Sequence, residues 1–349
     1  MANLADITRE SRIILKLLAA TGALIFIIFI AVNGVQIFQK IFFPPPPAPP
    51  KEEFGKLPRI SFGITSGLKP TFRINTVSGQ LPNFPDRIDV YKMLIPDPSL
   101  NALKNARDNV GNARFEKLET KVTDTIYEWQ NDQGIIIRYN IITNNFDIDS
   151  DLTGNTYSTG EVFSRKDDAY RFVKNFLGNL NVSTDDIDPN QTKLTYYTVN
   201  NRQLIEVPSQ NQAQVLRVDL FQNNISENKL KIYYPNFDTS IMFFYIVVSP
   251  DDKRPEIVKG TFNHSIPNLK QSSTYPIKST ADAYKELQNG VNSLVIKADK
   301  NATSLDITDV SLGYYIGREG QQYLLPVIVF QGKNFVAFVQ AVPDTSLSN

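Results

Sequence analysis

Ile241-Met242-Phe243-Phe244-Tyr245-Ile246-Val247-Val248 is the stretch on which the fold turns. Eight apolar residues in a row, mostly aromatic or β-branched, predict a central strand covered on both faces. The run is too short to cross a bilayer. Upstream, strands are expected at 193–199, 203–207, 214–221 and 229–234, where strand-forming residues alternate between turn signals. Before them Ala169, Phe172, Val173, Phe176 and Leu177 recur at helical spacing, with Ser164 and Asp167 as a capping box and Gly178 as the stop.

Farther out the pattern repeats. Ser279 and Asp282 predict a second capped helix, with Ala283, Leu287 and Val291 inward and Gly290 as its stop. Strands are predicted at 307–316, 323–330 and 335–342, the last two joined by Gln331-Gly332-Lys333-Asn334. Pro326 has no N–H to donate, so it belongs at an edge or bulge. Asp168-Ala169-Tyr170-Arg171-Phe172-Val173 echoes Asp282-Ala283-Tyr284-Lys285-Glu286-Leu287, which suggests duplicated helix-on-sheet units.

In the first half, strands are expected at 59–64, 71–76 and 86–93. A helix then opens at Asp97-Pro98 and carries Leu100, Leu103, Arg107 and Val110 on one side, with Gly111 as its end. A hairpin pairs 121–129 with 134–142 across Asn131-Asp132-Gln133-Gly134, and a third strand follows at 145–148. Ile135-Ile136-Ile137 predicts cover on both faces.

Leu17 to Gln39 holds no Asp, Glu, Lys or Arg. At ~1.5 Å per residue it spans roughly 35 Å, enough for one membrane helix. Arg9, Arg12 and Lys16 on its short side place the N-terminus in the cytoplasm and the remainder outside the cell membrane. Within the span Asn33 and Gln36 are candidates for pairing with a partner helix. Pro44-Pro45-Pro46-Pro47-Ala48-Pro49-Pro50 then predicts an extended spacer, because proline lacks the helical donor.

The chain carries no net charge, which argues against nucleic acid as a partner. It has no cysteine, so disulfides, thiolate chemistry and cysteine-held zinc are excluded. The sole histidine, His264, lies in Phe262-Asn263-His264-Ser265-Ile266-Pro267, which reads as a surface loop without a nucleophile motif. Asp147, Asp149 and Asp151 alternate like the start of a calcium loop. Loop positions six and twelve are Leu152 and Ser158 rather than Gly and Glu, which favours a solvated strand end. Nothing singles out a carboxylate pair for hydrolysis, and no catalytic residue or cofactor is expected. Tyr233-Tyr234 and Tyr314-Tyr315 each predict one ring inward and one outward, the outward ring being a candidate protein contact.

The helix from Ser279, then Ile307-Thr308-Asp309-Val310-Ser311-Leu312-Gly313-Tyr314-Tyr315, then Tyr323-Leu324-Leu325-Pro326-Val327-Ile328-Val329-Phe330, resembles the end of the YycH/YycI regulators and PepSY-type modules. Ile328 stands where tryptophan is common in those families. The layout is also similar to uncharacterised single-pass proteins of small-genome bacteria. The resemblance implies bacterial regulation by contact with a membrane sensor kinase or another envelope protein, and carries no catalytic residues. The expected fold is α+β with two or three helix-on-antiparallel-sheet units: tail 1–16, transmembrane helix 17–39, proline-rich linker 40–56, an α+β domain 57–160, and similar units at 161–270 and 271–349. The expected function is a non-enzymatic, membrane-tethered regulator. An envelope-assembly subunit and a cell-wall hydrolase or peptidase are the alternatives, and the oligomeric state stays open.

Overall fold

A computed structural model of the protein describes residues 18, 21–23, 49–62, 70–225, 229–236, 238–297, 299 and 301–348. Its two units are Met1–Pro49 and Pro50–Asn349. In the first, Leu18, Thr21, Gly22 and Ala23 are helical. The second begins with β1 (Thr71–Ile74), β2 (Arg87–Met93), α1 (Ala102–Asn112), β3 (Lys117–Lys121), β4 (Ile126–Gln130), β5 (Ile136–Asn140), β6 (Phe146–Asp149) and α2 (Lys166–Asn179). It continues through β7 (Lys193–Asn200), β8 (Gln203–Val207), β9 (Val215–Asp219), β10 (Ile232–Tyr233), β11 (Met242–Val248), β12 (Pro255–Phe262) and β13 (Pro267–Pro276). The last part holds α3 (Thr280–Asn289), β14 (Ser293–Lys297), β15 (Ser304–Ile307), β16 (Asp309–Tyr315), β17 (Tyr323–Gly332) and β18 (Phe335–Gln340).

β11 lies inside a nine-stranded sheet of order β3-β4-β5-β6-β12-β11-β9-β7-β8. All its pairings are antiparallel. On one face α2 presents Ala169, Val173 and Leu177, all fully buried, and Phe176 meets Phe146 and Phe244 edge-on. The opposite face is only half covered. There Phe243 and Tyr245 of β11 are half-buried beneath Arg217, whose guanidinium lies 3.9 Å from the Phe243 ring centroid. Arg217 also donates to Asp219 at 2.7 Å and to the Tyr245 hydroxyl at 3.1 Å. Burial alone would lower the Arg217 pKa, but the buried Asp219 carboxylate outweighs it and holds the guanidinium above its ordinary value. The neighbouring strand β9 therefore covers part of this outer face with a cation and its carboxylate partner, and the expectation of full apolar cover on both faces is corrected. The same holds for Ile135-Ile136-Ile137, where Ile136 is 38% exposed.

A seven-stranded sheet runs β10-β16-β17-β18-β14, with β2 joining both β17 and β13. Here both faces are covered. Ala283 and Leu287 of α3 cluster with Ile328, Phe330, Ala337 and Val339 on one side. Ile60, Phe62 and Tyr233 pack on Val327, Val329 and Phe338 on the other. Ser279 caps α3 by accepting from the Asp282 N–H at 3.1 Å, and Gly290 ends the helix in the left-handed region at φ 65°.

Several expectations are corrected. The described residues of Pro50–Asn349 are dominated by strands with three α-helices, so the fold is mainly β rather than α+β. Most of 17–39, with Asn33 and Gln36, lies outside the described residues, as do 40–48 of the linker. Among the described residues no helix is long and apolar enough to cross a membrane. The transmembrane helix, and the single-pass, extracytoplasmic localisation that rested on it, are therefore unsupported. The boundary at 160/161 is crossed by β6–β12 pairing, and that at 270/271 by β13, because strand ladders here join residues more than a hundred positions apart. The two helix-bearing units also differ in connection: β7 pairs β9, whereas β14 pairs the last strand, β18. A shared short motif thus does not make a duplicated topology.

Pro326 sits in a central strand rather than at an edge or bulge. Its carbonyl accepts from Ala341 N–H just beyond the end of β18, so its missing donor falls where that ladder stops. α1 begins at Ala102, four residues after Pro98, leaving Leu100 outside and burying Ala102, Ala106 and Val110. α2 starts after Arg165 with no side-chain cap and runs through Gly178, so the Ser164 box and the glycine stop do not form. Val291 is exposed beyond the Gly290 turn.

Candidate functional site

At one end of the nine-stranded sheet lies a cleft of about 1270 Å³. Its walls come from the segment after β2 (Met93 to Asp97), the strand ends around Asn140 and Asn145, the segment after α2 (Asn181 to Ser183), the residues after β12 (Asn263 to Ile266) and the loop at Arg318 to Gln322. The wall after β2 is stitched in place by backbone bonds from Met93 N–H to Gln322 and from Leu94 N–H to Ile266, both 2.8 Å. That leaves Leu94 and Ile95 51% and 71% exposed at the rim.

His264 lines this cleft with a side chain only 4% exposed. Its Nε2 lies 2.9 Å from Asp186 Oδ1, and its ring packs on Phe262 at 5.2 Å. Asp186 also accepts from Gln222 Nε2 at 2.8 Å, while Gln222 Oε1 accepts from the buried Tyr234 hydroxyl at 3.0 Å. Burial pushes the Asp186 pKa up, but His264, by hydrogen bond and charge, and then Gln222 outweigh it and hold the carboxyl below its ordinary value. Desolvation pushes the Tyr234 hydroxyl up. A second set of bonds ties the loops together: Asn145 accepts from the His264 N–H at 3.0 Å and donates to Asn263 at 3.2 Å. Asn263 in turn donates to the Arg318 carbonyl, and the Arg318 guanidinium donates to Asn236 at 2.9 Å.

The histidine of the sequence reading, expected at the surface, therefore has a buried side chain hydrogen-bonded to Asp186. Its signal lay in parity. Val258, Gly260 and Phe262 point inward along β12, Lys259 and Thr261 outward, and His264 continues the inward set. β12 itself went unpredicted, so the parity had no strand to run on.

The other predicted site residues do not converge. Asp147 accepts from Thr261 at 2.8 Å, Asp149 pairs with Lys259, and Asp151 pairs with Arg202 at 2.8 Å. Each carboxylate has its own cross-strand or loop partner, and no acidic or histidine cluster able to hold a metal occurs among the described residues. Tyr314 and Tyr315 are both buried, as is Tyr234, so these three are not outward contact rings. Tyr314 donates to the Asp89 carbonyl at 2.8 Å, and Tyr315 packs on Phe62 and Phe338 with its hydroxyl pushed up to about 12 by desolvation. Both rings are inside because the seven-stranded sheet is covered on both faces. Tyr233 is half-buried, bonded to Ser311 at 3.2 Å, and lines a smaller cavity of about 340 Å³.

No family model matches the chain, and no curated protein does either. The reading as a YycH/YycI-like or PepSY-like protein, drawn from the 279–342 motif, accordingly finds no support. The fold comparison includes a crystal structure of an uncharacterised protein from Eubacterium rectale, 10% identical, with a TM-score of 0.37. That match covers 73% of this chain and 84% of the other.

Proposed function

We propose that this protein is a non-enzymatic binding module that seats an extended segment of another protein in the cleft beside His264. The carrying observation is the cleft lining itself: side-chain amides from Asn140, Asn144, Asn181, Asn236 and Gln322, with apolar Leu94 and Ile95 exposed at the rim. Amide groups match the donors and acceptors of a peptide backbone, and exposed aliphatic side chains take up apolar side chains of the same segment. A sugar would favour an exposed aromatic platform, whereas Phe146 and Phe262 in the cleft are buried and the half-buried Phe243 ring lies under the Arg217 guanidinium. The hydrogen-bonded network of His264, Asp186 and Gln222 serves to hold the walls in register.

The test is an array of synthetic peptides probed with the full chain. Bound peptides are expected to lose at least tenfold in affinity on Ile95→Ser or Asn140→Ala, with uncleaved peptide recovered intact. Binding indifferent to both substitutions, or turnover of the peptides, overturns the proposal.

A further inference from the structure

The hydrogen bonds already made inside the cleft draw on the acceptor ends of three of its amides. Asn140 Oδ1 is occupied by the N–H groups of Ile142 and Thr143, Asn144 Oδ1 by the Tyr139 hydroxyl, and Asn236 Oδ1 by Arg318. Asn140 Oδ1 is thereby fully used, Asn144 Oδ1 and Asn236 Oδ1 each keep one acceptor position, and the NH₂ groups of all three remain to donate. Arg318 adds a guanidinium that is exposed, lines the cleft, and has no carboxylate within ion-pair distance among the described residues. Arg318 is oriented at both ends: Asn236 holds one guanidinium nitrogen, and Asn263 binds its backbone carbonyl. The second lining arginine, Arg138, is by contrast committed to Glu128. The acidic groups of the lining are Asp97 and Asp147, of which Asp147 is occupied by Thr261.

A donor-rich cleft with one oriented, uncommitted guanidinium is complementary to a ligand rich in acceptors and ending in an anion. We infer that the bound segment carries a carboxylate, from a chain terminus or an acidic side chain, which pairs with Arg318 in the two-bond geometry that guanidinium and carboxylate share. Backbone carbonyls of the same segment accept from Asn140, Asn144 and Asn236. This inference rests on the peptide-binding reading above and adds the chemistry that selects the peptide.

The experiment uses the same array, with every peptide made in four forms: free or amidated C-terminus, and Asp/Glu or the matching Asn/Gln. The full chain is probed as wild type, Arg318→Gln and Arg318→Lys, with circular dichroism checking that each variant folds. Removing the relevant carboxylate is expected to cost the wild type at least tenfold, and Arg318→Gln nothing further. Arg318→Lys is expected to recover only part of the affinity, and raised salt to weaken wild-type binding selectively. Loss on amidation assigns a chain terminus, and loss on the Asn/Gln exchange assigns a side chain. Peptides that depend on Ile95 and Asn140 but are indifferent to Arg318 and to their own carboxylates overturn this inference while leaving the binding reading standing. An array without any cleft-dependent binder overturns both.

Discussion

β11 and β17 are alike as sequences, each an uninterrupted apolar run, yet the chain treats them differently. β17 and its neighbour β18 are buried on both faces, between α3 on one side and Ile60, Phe62 and Tyr233 on the other. β11 is buried on one face by α2, and its other face is half open under Arg217. The difference lies in which side chains face out. β17 offers Val327 and Val329 to one side and Ile328 and Phe330 to the other, groups with nothing polar to bond that need apolar partners. β11 turns out Phe243 and Tyr245, rings that a guanidinium can cover and whose hydroxyl can be bonded. An apolar run thus states that a strand is inside; it does not state how many layers cover it.

Four phenylalanine truncations test this contrast most severely. Phe330→Ala and Phe338→Ala, on opposite faces of the seven-stranded sheet, are each expected to cost about 3–5 kcal/mol. Phe244→Ala on the helix side of β11 should match them, while Phe243→Ala should cost about half as much, because it is only half-buried. Urea unfolding midpoints give the comparison. Equal costs for Phe243 and Phe244 would show that the outer face is covered after all.

The His264–Asp186 contact under the cleft is the next lever. His264→Ala should cost about 2 kcal/mol at neutral pH, since it removes a partner from a largely buried carboxylate. Asp186 has a folded-state pKa below its ordinary value of 3.8, so it contributes stability that is present above that value. The contribution is lost as pH falls through the lowered folded value. Acid titration of the unfolding free energy should therefore be shallower below pH ~4 in Asp186→Asn than in the wild type. An unchanged slope would mean that the Asp186 pKa is not lowered in the folded state relative to the unfolded one.

The two sheet-packing helices supply the smallest contrast. Ser279→Ala removes a side-chain cap and should cost about 1 kcal/mol. Ser164→Ala, at a serine with no capping bond to α2, should stay within about 0.5 kcal/mol. Thermal denaturation of the pair measures it, and a larger loss at Ser164 would contradict the helix start at Lys166.

Much of the local structure was legible. The hairpin of β4 and β5 around Asn131 and Gly134, the buried stripe of Ala169, Val173 and Leu177, and the capped start and glycine stop of α3 follow from spacing and turn chemistry. The strands β12 and β13 were not, because their alternation is diluted by polar residues such as Lys259, Thr261 and Gln271. The candidate site failed to show for the same reason. Its parts sit in segments scattered from Met93 to Gln322, and His264 is carried inward by a strand that had gone unread.

By itself the sequence determined which residues form strands and helices over most of the described chain, and that no thiol chemistry operates, because side-chain period, caps and composition are local properties. Only the tertiary structure decided which strands lie beside each other, how many faces each apolar run buries, and that His264 meets Asp186 and Gln222 beneath a cleft. Those outcomes depend on pairing between residues separated by tens to hundreds of positions, where the free energy comes from shared burial and hydrogen bonding rather than from any one segment's preference.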